Sequence, residues 1–317
     1  MLRSVMRAAC GAVVVALFLA GAACGAATPR APLIGVTMAH FDDNWLTILR
    51  TAMGDHAATL SSGVALQFSD AQGDVARQLS QIETFVTQSA AAVIVNAADT
   101  SATPGMTKIA RAAGVPLVYV NRRPFEDTLP PGVVFVGSDD LEAGRLQMEE
   151  LARLMDYQGN VAIMVGELAS NGAQLRTKAV EDVVAKYPGM KIVEKQAANF
   201  QRERGLDLMN NWLTAGLAVD AIAANNDEMA IGAIMALQQA GSPPGKILVG
   251  GIDATPDALA ELAKGTLAVS VFQDARGQAR GAVEAAVRLS RGDAVDSFVW
   301  IPFELVTREN YAAFLDR

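Results

Sequence analysis

Short runs of consecutive apolar residues alternate along this chain with longer stretches in which apolar residues return every third or fourth position. The runs are LIGVTM (33–38), VALQFS (64–69), AAVIVN (91–96), VPLVYV (115–120), VVFVGS (133–138), NVAIMVG (160–166), MKIVEKQ (190–196), VDAIAAN (219–225), KILVGGID (246–253) and TLAVSVF (266–272). A run that is apolar at nearly every position reads as a strand buried on both faces, the environment of a parallel sheet covered by helices. The stretches between them, such as DVARQLSQIETFVTQS (74–89) and ATPGMTKIARAAG (102–114), carry the spacing of amphipathic helices. The repeated order predicts an α/β fold of doubly wound parallel sheets. Ten runs exceed one comfortable sheet, so two lobes are expected, and the proline-rich PFEDTLPPG (124–132) is the first candidate break by composition. No low-complexity tract or short internal repeat interrupts the pattern.

The N-terminal segment stands apart from it. Arg3 and Arg7 precede an apolar core, GAVVVALFLAGAA (11–23), which ends in small residues and is short for a membrane span. Residues 1–27 read as an export signal, with cleavage after Ala27; LAGAAC also resembles a lipobox that would anchor Cys24 by a lipid. Those residues hold two arginines and no acid, so the remainder has 24 basic and 34 acidic side chains and a net charge of −10. Such a chain is a poor partner for nucleic acid or an anionic membrane. Both cysteines, Cys10 and Cys24, fall in the signal, so the folded part has no disulfide and depends on its core.

In open α/β sheets ligands bind beyond the carboxyl ends of the strands, and here those ends are decorated. HFDDNW (40–45) follows the first run, and Asn121 and Arg122 follow the fourth. Arg176 lies in the helix start NGAQLRTK, and Asn199 and Phe200 in AANFQRERG. Asn226 and Asp227, then Asp253, then Gln273 end the last three runs. Alone, each has a plain reading. Asp42, Asn44, Asn226 and Asp253 could cap helices, with Asp42 the most cap-like. Trp45 and Phe200 could be core, and Arg122 and Arg176 surface ion pairs. Together they suit a polyol. Carboxylates accept from vicinal hydroxyls, guanidinium groups donate paired bonds, amides do both, and aromatic faces cover the C–H faces of a saturated ring. Such a site rejects an inverted or missing hydroxyl, because each polar group left unpaired costs about 1–3 kcal/mol. His40 and His56 have no metal spacing and read as structural or surface residues.

These segments resemble a known family. AGVPLVYVNR (113–122), LRTKAVEDVVAKYPG (175–189), ANFQRERGLDLMNNWL (198–213), NNDEMAIGAIMALQQAG (225–241) and VGGIDATPDALAEL (249–262) are similar to the ribose-type periplasmic solute-binding proteins of ABC importers. The resemblance runs over nearly all of 33–305. It implies sugar contacts at Asp43, Trp45, Asn121, Arg122, Arg176, Phe200, Asn226, Asp253 and Gln273, with Phe41 as an extra wall. The ribose pattern usually has aspartate where Asn121 stands, and asparagine, proline and paired phenylalanines where this chain has FDDNWL. That version is similar to a subgroup for inositols and inositol-derived rhizopines, so the resemblance favours a cyclic polyol, myo-inositol first, over ribose or another pentose or hexose. It further implies an N-terminal lobe of 33–136 plus 274–301, a C-terminal lobe of 137–273 plus 302–317, a three-segment hinge, and closure on the ligand. A periplasmic monomer, a membrane permease as partner, no cofactor and no metal are the remaining implications; delivery to a chemoreceptor would use the same closure.

Two other classes weigh less. A sugar-responsive transcription regulator shares the fold but needs a DNA-binding headpiece of roughly 50–60 residues, and here the first strand begins just after the signal. An enzyme needs a nucleophile elbow, a phosphate loop, a metal cluster or a placed general base, and the sequence presents none of them.

Overall fold

The computed structural model describes residues 31–61 and 63–317. The expected export signal, Cys24 included, lies outside the described residues. From Ala31 onward the chain forms one compact unit.

The elements follow the predicted alternation. β1 (Leu33–Met38) leads to α1 (Asn44–Thr59), β2 (Ala65–Asp70) to α2 (Val75–Thr87), and β3 (Ala92–Val95) to α3 (Thr103–Ala112). β4 (Leu117–Val120) and β5 (Val133–Gly137) come next, then α4 (Asp140–Leu154). The second series is β6 (Gly159–Val165), α5 (Asn171–Val184), β7 (Met190–Ala197), α6 (Arg202–Thr214), β8 (Ala221–Ala224), α7 (Asp227–Gln239), β9 (Leu248–Gly250), α8 (Pro256–Lys264) and β10 (Val269–Gln273). α9 (Ala275–Ser290), β11 (Phe298–Trp300) and β12 (Phe303–Thr307) close the chain.

The described strands form two six-stranded sheets, ordered β11-β5-β4-β3-β1-β2 and β12-β10-β9-β8-β6-β7. Pairing is parallel except at β12, which runs antiparallel to β10. Each sheet is packed on both faces. α1 and α9 lie with Val36, Ile94 and Val118 on one face of the first sheet, and Ile82, Phe85, Met106 and Ala110 of α2 and α3 cover the other. In the second sheet, α4 and α5 cover one face and α6 to α8 the other. This double covering is why the strand runs are continuous in the sequence: β3, β4, β5 and β8 are buried at every position.

The structure departs from expectation in two places. PFEDTLPPG is no break between lobes, because it joins β4 to β5 inside one sheet, where Leu117 pairs with Val133. β11 and β12 were not expected as strands. Both are short edge strands with partly exposed residues, and Pro302 interrupts the run FVWIPF between them. The chain passes between the sheets at Ser138–Asp139, at Asp274 and at Ile301–Pro302. Gln278 Nε2 donates to Ser138 Oγ at 3.0 Å, and Ile301 N donates to Gly137 O at 2.8 Å, tying these passages together.

Candidate ligand-binding site

The segments that follow the strands of one sheet meet those that follow the strands of the other. Between them lies a cavity of about 440 Å³, counting the part open to solvent. It is lined by Asp43, Trp45, Asn121 and Arg122 from the first-sheet side. Asp140, Ser170, Gly172, Arg176, Phe200, Asn226, Asp253 and Gln273 come from the second, and Leu46 completes the wall. Nine of the ten expected site residues therefore face one space. Phe41 does not. Its ring packs on the core beside α1 and carries the Arg50 guanidinium 4.0 Å above its centre, so its expected role as a wall has no support in the geometry.

HFDDNW resolves into two layers. Asp42 is exposed, and Asp43, not Asp42, caps α1: its Oδ1 accepts from Leu46 N at 2.8 Å. Asp43 thus caps α1 and also lines the cavity. Trp45, one residue into the helix, is buried and donates from Nε1 to the Gln273 carbonyl of the second lobe at 3.4 Å. Asn226 likewise caps α7 by accepting from Met229 N, and its Nδ2 donates to Phe200 O at 3.2 Å.

Three lining residues hold a left-handed backbone that L-residues seldom adopt: Asn121 (φ 65°), Phe200 (φ 61°) and Asp253 (φ 123°). Strain of this kind costs on the order of 1–3 kcal/mol per residue and clusters where a side chain must be aimed. Phe200 also needs its neighbour to be small. A Cβ added at Gly166, just past β6, would overlap the Phe200 ring.

The two arginines are fixed differently. Arg176 is buried and held on all three nitrogens within the second lobe, with two N–H groups to spare. Its Nε donates to Asp140 Oδ1 at 2.8 Å, one terminal nitrogen to Asn225 O at 2.8 Å, and the other to Gln273 Oε1 at 3.2 Å, with Asp253 Oδ1 3.8 Å away. Arg122 donates to the carbonyls of Ala97 and Ala98 in its own lobe, and pairs at 2.8 Å with Glu167 of the other. Asp140 and Glu167 were missed in the sequence. Asp140 had a signal, since it follows the VVFVGS run as other site residues follow theirs. Glu167 had the same signal, directly after NVAIMVG, but its partners Arg122 and His40 depend on how the lobes meet.

With Arg122 and Arg176 paired, Asp43 and Asp253 are the surplus carboxylates of the cavity. Burial raises both carboxyls above their ordinary value, Asp253 well above it even though the Arg176 charge opposes the rise. Burial also raises Asp140 against its Arg176 partner. Behind the cavity, Asp227 accepts from Ser270 Oγ at 2.7 Å and Thr255 N at 2.9 Å, and burial pushes its carboxyl to about 7. It braces the turn that presents Asp253. Among the described residues no group of three or more His, Cys, Asp and Glu side chains is placed to hold a metal ion.

A periplasmic binding protein domain matches residues 34–294. The chain belongs to the periplasmic binding protein family. As a member it is the solute-binding component of an ABC importer, and its two lobes are those of the periplasmic binding protein fold. It is 51% identical over 288 residues, 90% of this chain and 93% of the relative, to a candidate rhizopine-binding protein of Rhizobium meliloti. Its fold matches an ABC transporter solute-binding protein of Bacillus halodurans C-125 with bound myo-inositol (TM-score 0.85, 39% identity, 90% of this chain and 97% of that one). A Caulobacter myo-inositol binding protein bound to myo-inositol matches with TM-score 0.82 and 29% identity, over 89% of this chain and 95% of that one. No helix among the described residues is long and apolar enough to cross a membrane.

Proposed function

We propose that this binding protein takes a cyclic polyol of the inositol class between its lobes and presents it, closed, to a membrane permease. The observation that carries the proposal is the composition of one cavity. Two aromatic side chains, two arginines, three carboxylates and three amides converge there from both lobes. Trp45 and Phe200 suit the C–H faces of a saturated ring. Arg122, Arg176 and the amides suit hydroxyls that accept, and Asp43 and Asp253 suit hydroxyls that donate. The names of the relatives support the ligand class. The passages at 138–139, 274 and 301–302 serve as the hinge, with lobes of 33–136 plus 274–301 and 137–273 plus 302–317. Closure is the signal that a permease reads, and its population is set by the ligand's preference for the closed form. The protein acts by binding, without catalysis, as an exported monomer.

One observation favours a second ligand. Asp43 and Asp253 are carboxylates in excess of the cavity's arginines, and a ring bearing an ammonium group in place of one hydroxyl would neutralise part of that excess. An inositol-derived amine, the rhizopine class, is therefore the alternative.

Calorimetric titration of residues 28–317 with myo-inositol, scyllo-inositol, an aminocyclitol, ribose, galactose and xylose tests the proposal. Tight one-to-one binding of an inositol with weak pentose binding is expected. Preference for ribose would overturn the cyclitol reading, and preference for the amine would select the alternative.

A further inference from the structure

A charged clasp that shares Arg122 with the ligand cavity joins the lobes. His40 follows β1 and Arg122 follows β4, both of the first sheet; Glu167 follows β6 of the second. Glu167 Oε2 lies 2.8 Å from an Arg122 terminal nitrogen, and Oε1 lies 3.1 Å from His40 Nε2. One carboxylate thus reaches across the cleft and gives each of its oxygens to a different partner. Arg122 is a cavity residue, and its own lobe holds only one side of its guanidinium, through the Ala97 and Ala98 carbonyls. Glu167 holds the other side. The imidazole occupies the space a side chain at residue 73 would need: a Cβ on Gly73 would come within 2.9 Å of the ring.

We propose that Glu167 is a positioning residue that fixes Arg122 for the ligand only when the lobes close, and that protonation of His40 strengthens this clasp. The proposal rests on the cleft being the binding site. The groups that face the imidazole are few. Its own loop supplies Asp42, 3.9 Å from Nδ1, and Asp43; the end of β4 supplies Arg122, and the segment after β6 supplies Glu167. The β2–α2 turn presents uncharged Gly73, while Asp70 and Asp74 of that turn accept from the N–H groups of Gln72 and Arg77.

The electrostatics agree with the geometry. The hydrogen bond to Glu167 raises the imidazole above its ordinary value, against burial and the Arg122 charge. Burial works to raise the Glu167 carboxyl, yet the His40 bond and the Arg122 charge together hold it below its ordinary value. Glu167 therefore stays ionised while His40 titrates. The closed form binds the His40 proton more tightly than an open form in which Glu167 is distant. His40's share of the clasp is fully present below the ordinary histidine value and is lost as pH rises through the raised one, while the Glu167–Arg122 pair remains.

The test uses residues 28–317, whose described part is one compact unit and which hold no cysteine. Exposed Lys108 and Lys178, one in each lobe, are replaced by cysteine to carry a dye pair that reports closure by energy transfer. Wild type, His40→Gln and Glu167→Gln are compared at about pH 5.5 and about pH 8.5, on either side of the ordinary histidine range, with and without myo-inositol. Wild type should bind about fivefold more tightly at the lower pH, the low end of ordinary coupling between two equilibria. H40Q should lose that increment, and E167Q should bind about tenfold more weakly with the increment gone. Asp43 and Asp253 are present in all three proteins, so the readout is the difference between profiles. Wild-type affinity in E167Q, or a wild-type pH profile in H40Q, would overturn the clasp. If myo-inositol fails to bind at all, the ligand reading falls. The clasp then stands or falls on whether closure of ligand-free wild type favours low pH and that of H40Q does not.

Discussion

The two lobes share a strand order and differ in how they hold their arginines. β2-β1-β3-β4-β5 in one sheet corresponds to β7-β6-β8-β9-β10 in the other. In each, an asparagine past the third strand of the series accepts from the backbone past the first: Asn96 from Ala39 N, Asn225 from Gly166 N. On this common frame the second lobe keeps Arg176 in a network complete within itself, through Asp140, Asn225 and Gln273. The first lobe's Arg122 borrows its carboxylate from the opposite lobe. The difference teaches a division of labour. A half-site preorganised in one lobe can receive a ligand while the cleft is open, and a half-site completed across the cleft rewards closing it.

Substitutions at the two arginines should separate these roles most sharply. Arg176→Ala is expected to abolish measurable myo-inositol binding and also to destabilise the fold by about 3–5 kcal/mol, because it leaves Asp140 buried without its counter-charge. Thermal unfolding beside calorimetry would show both losses. Arg122→Ala should likewise abolish binding, but with a smaller loss of stability, about 1–3 kcal/mol, since Glu167 remains partly exposed to water while the buried Ala97 and Ala98 carbonyls lose their donor. Equal destabilisation by the two would erase the comparison. Trp45→Ala would not make as clean a probe. Trp45 belongs to the core around α1 and α9, so truncating it costs about 3 kcal/mol or more in addition to binding.

Smaller effects sharpen the picture within the second lobe. Gly166→Ala should weaken binding about tenfold by displacing the Phe200 ring, with little change in the melting temperature of the ligand-free protein. Asp253→Asn should weaken binding yet raise that temperature by about 2–4 °C at neutral pH. The sign follows from burial, which raises the Asp253 carboxyl well above its ordinary value. The wild-type residue costs nothing below the ordinary carboxylate value, and its penalty grows as pH rises through the raised one. The advantage of the variant should therefore vanish in acid, and a pH-independent difference in melting temperature would contradict this account.

Much of this was legible in the sequence, for identifiable reasons. Central strands buried on both faces write continuous apolar runs, and with the regular alternation of strand and helix these let ten of the strands, the edge strands β2 and β7 included, be located to within a few residues. The residues that line the cavity sit where those runs end, so the same reading pointed to it. What escaped was fixed by tertiary context. FVW and FELVT are short edge strands separated by Pro302, and a proline-rich segment served as an ordinary connection within one sheet. Asp42 and Asp43 are indistinguishable until the turn of α1 chooses the second as its cap. The pairing of Glu167 with Arg122 and His40 joins residues far apart in sequence, and only the approach of the lobes creates it.

A crystal structure of the protein grown with myo-inositol tests the central claim most directly. The account predicts one ring between Trp45 and Phe200, with hydroxyls within about 3.2 Å of Arg122 and Asp43 from one lobe and of Arg176 and Asp253 from the other. A ligand held by one lobe alone, or lying outside this cavity, would contradict it.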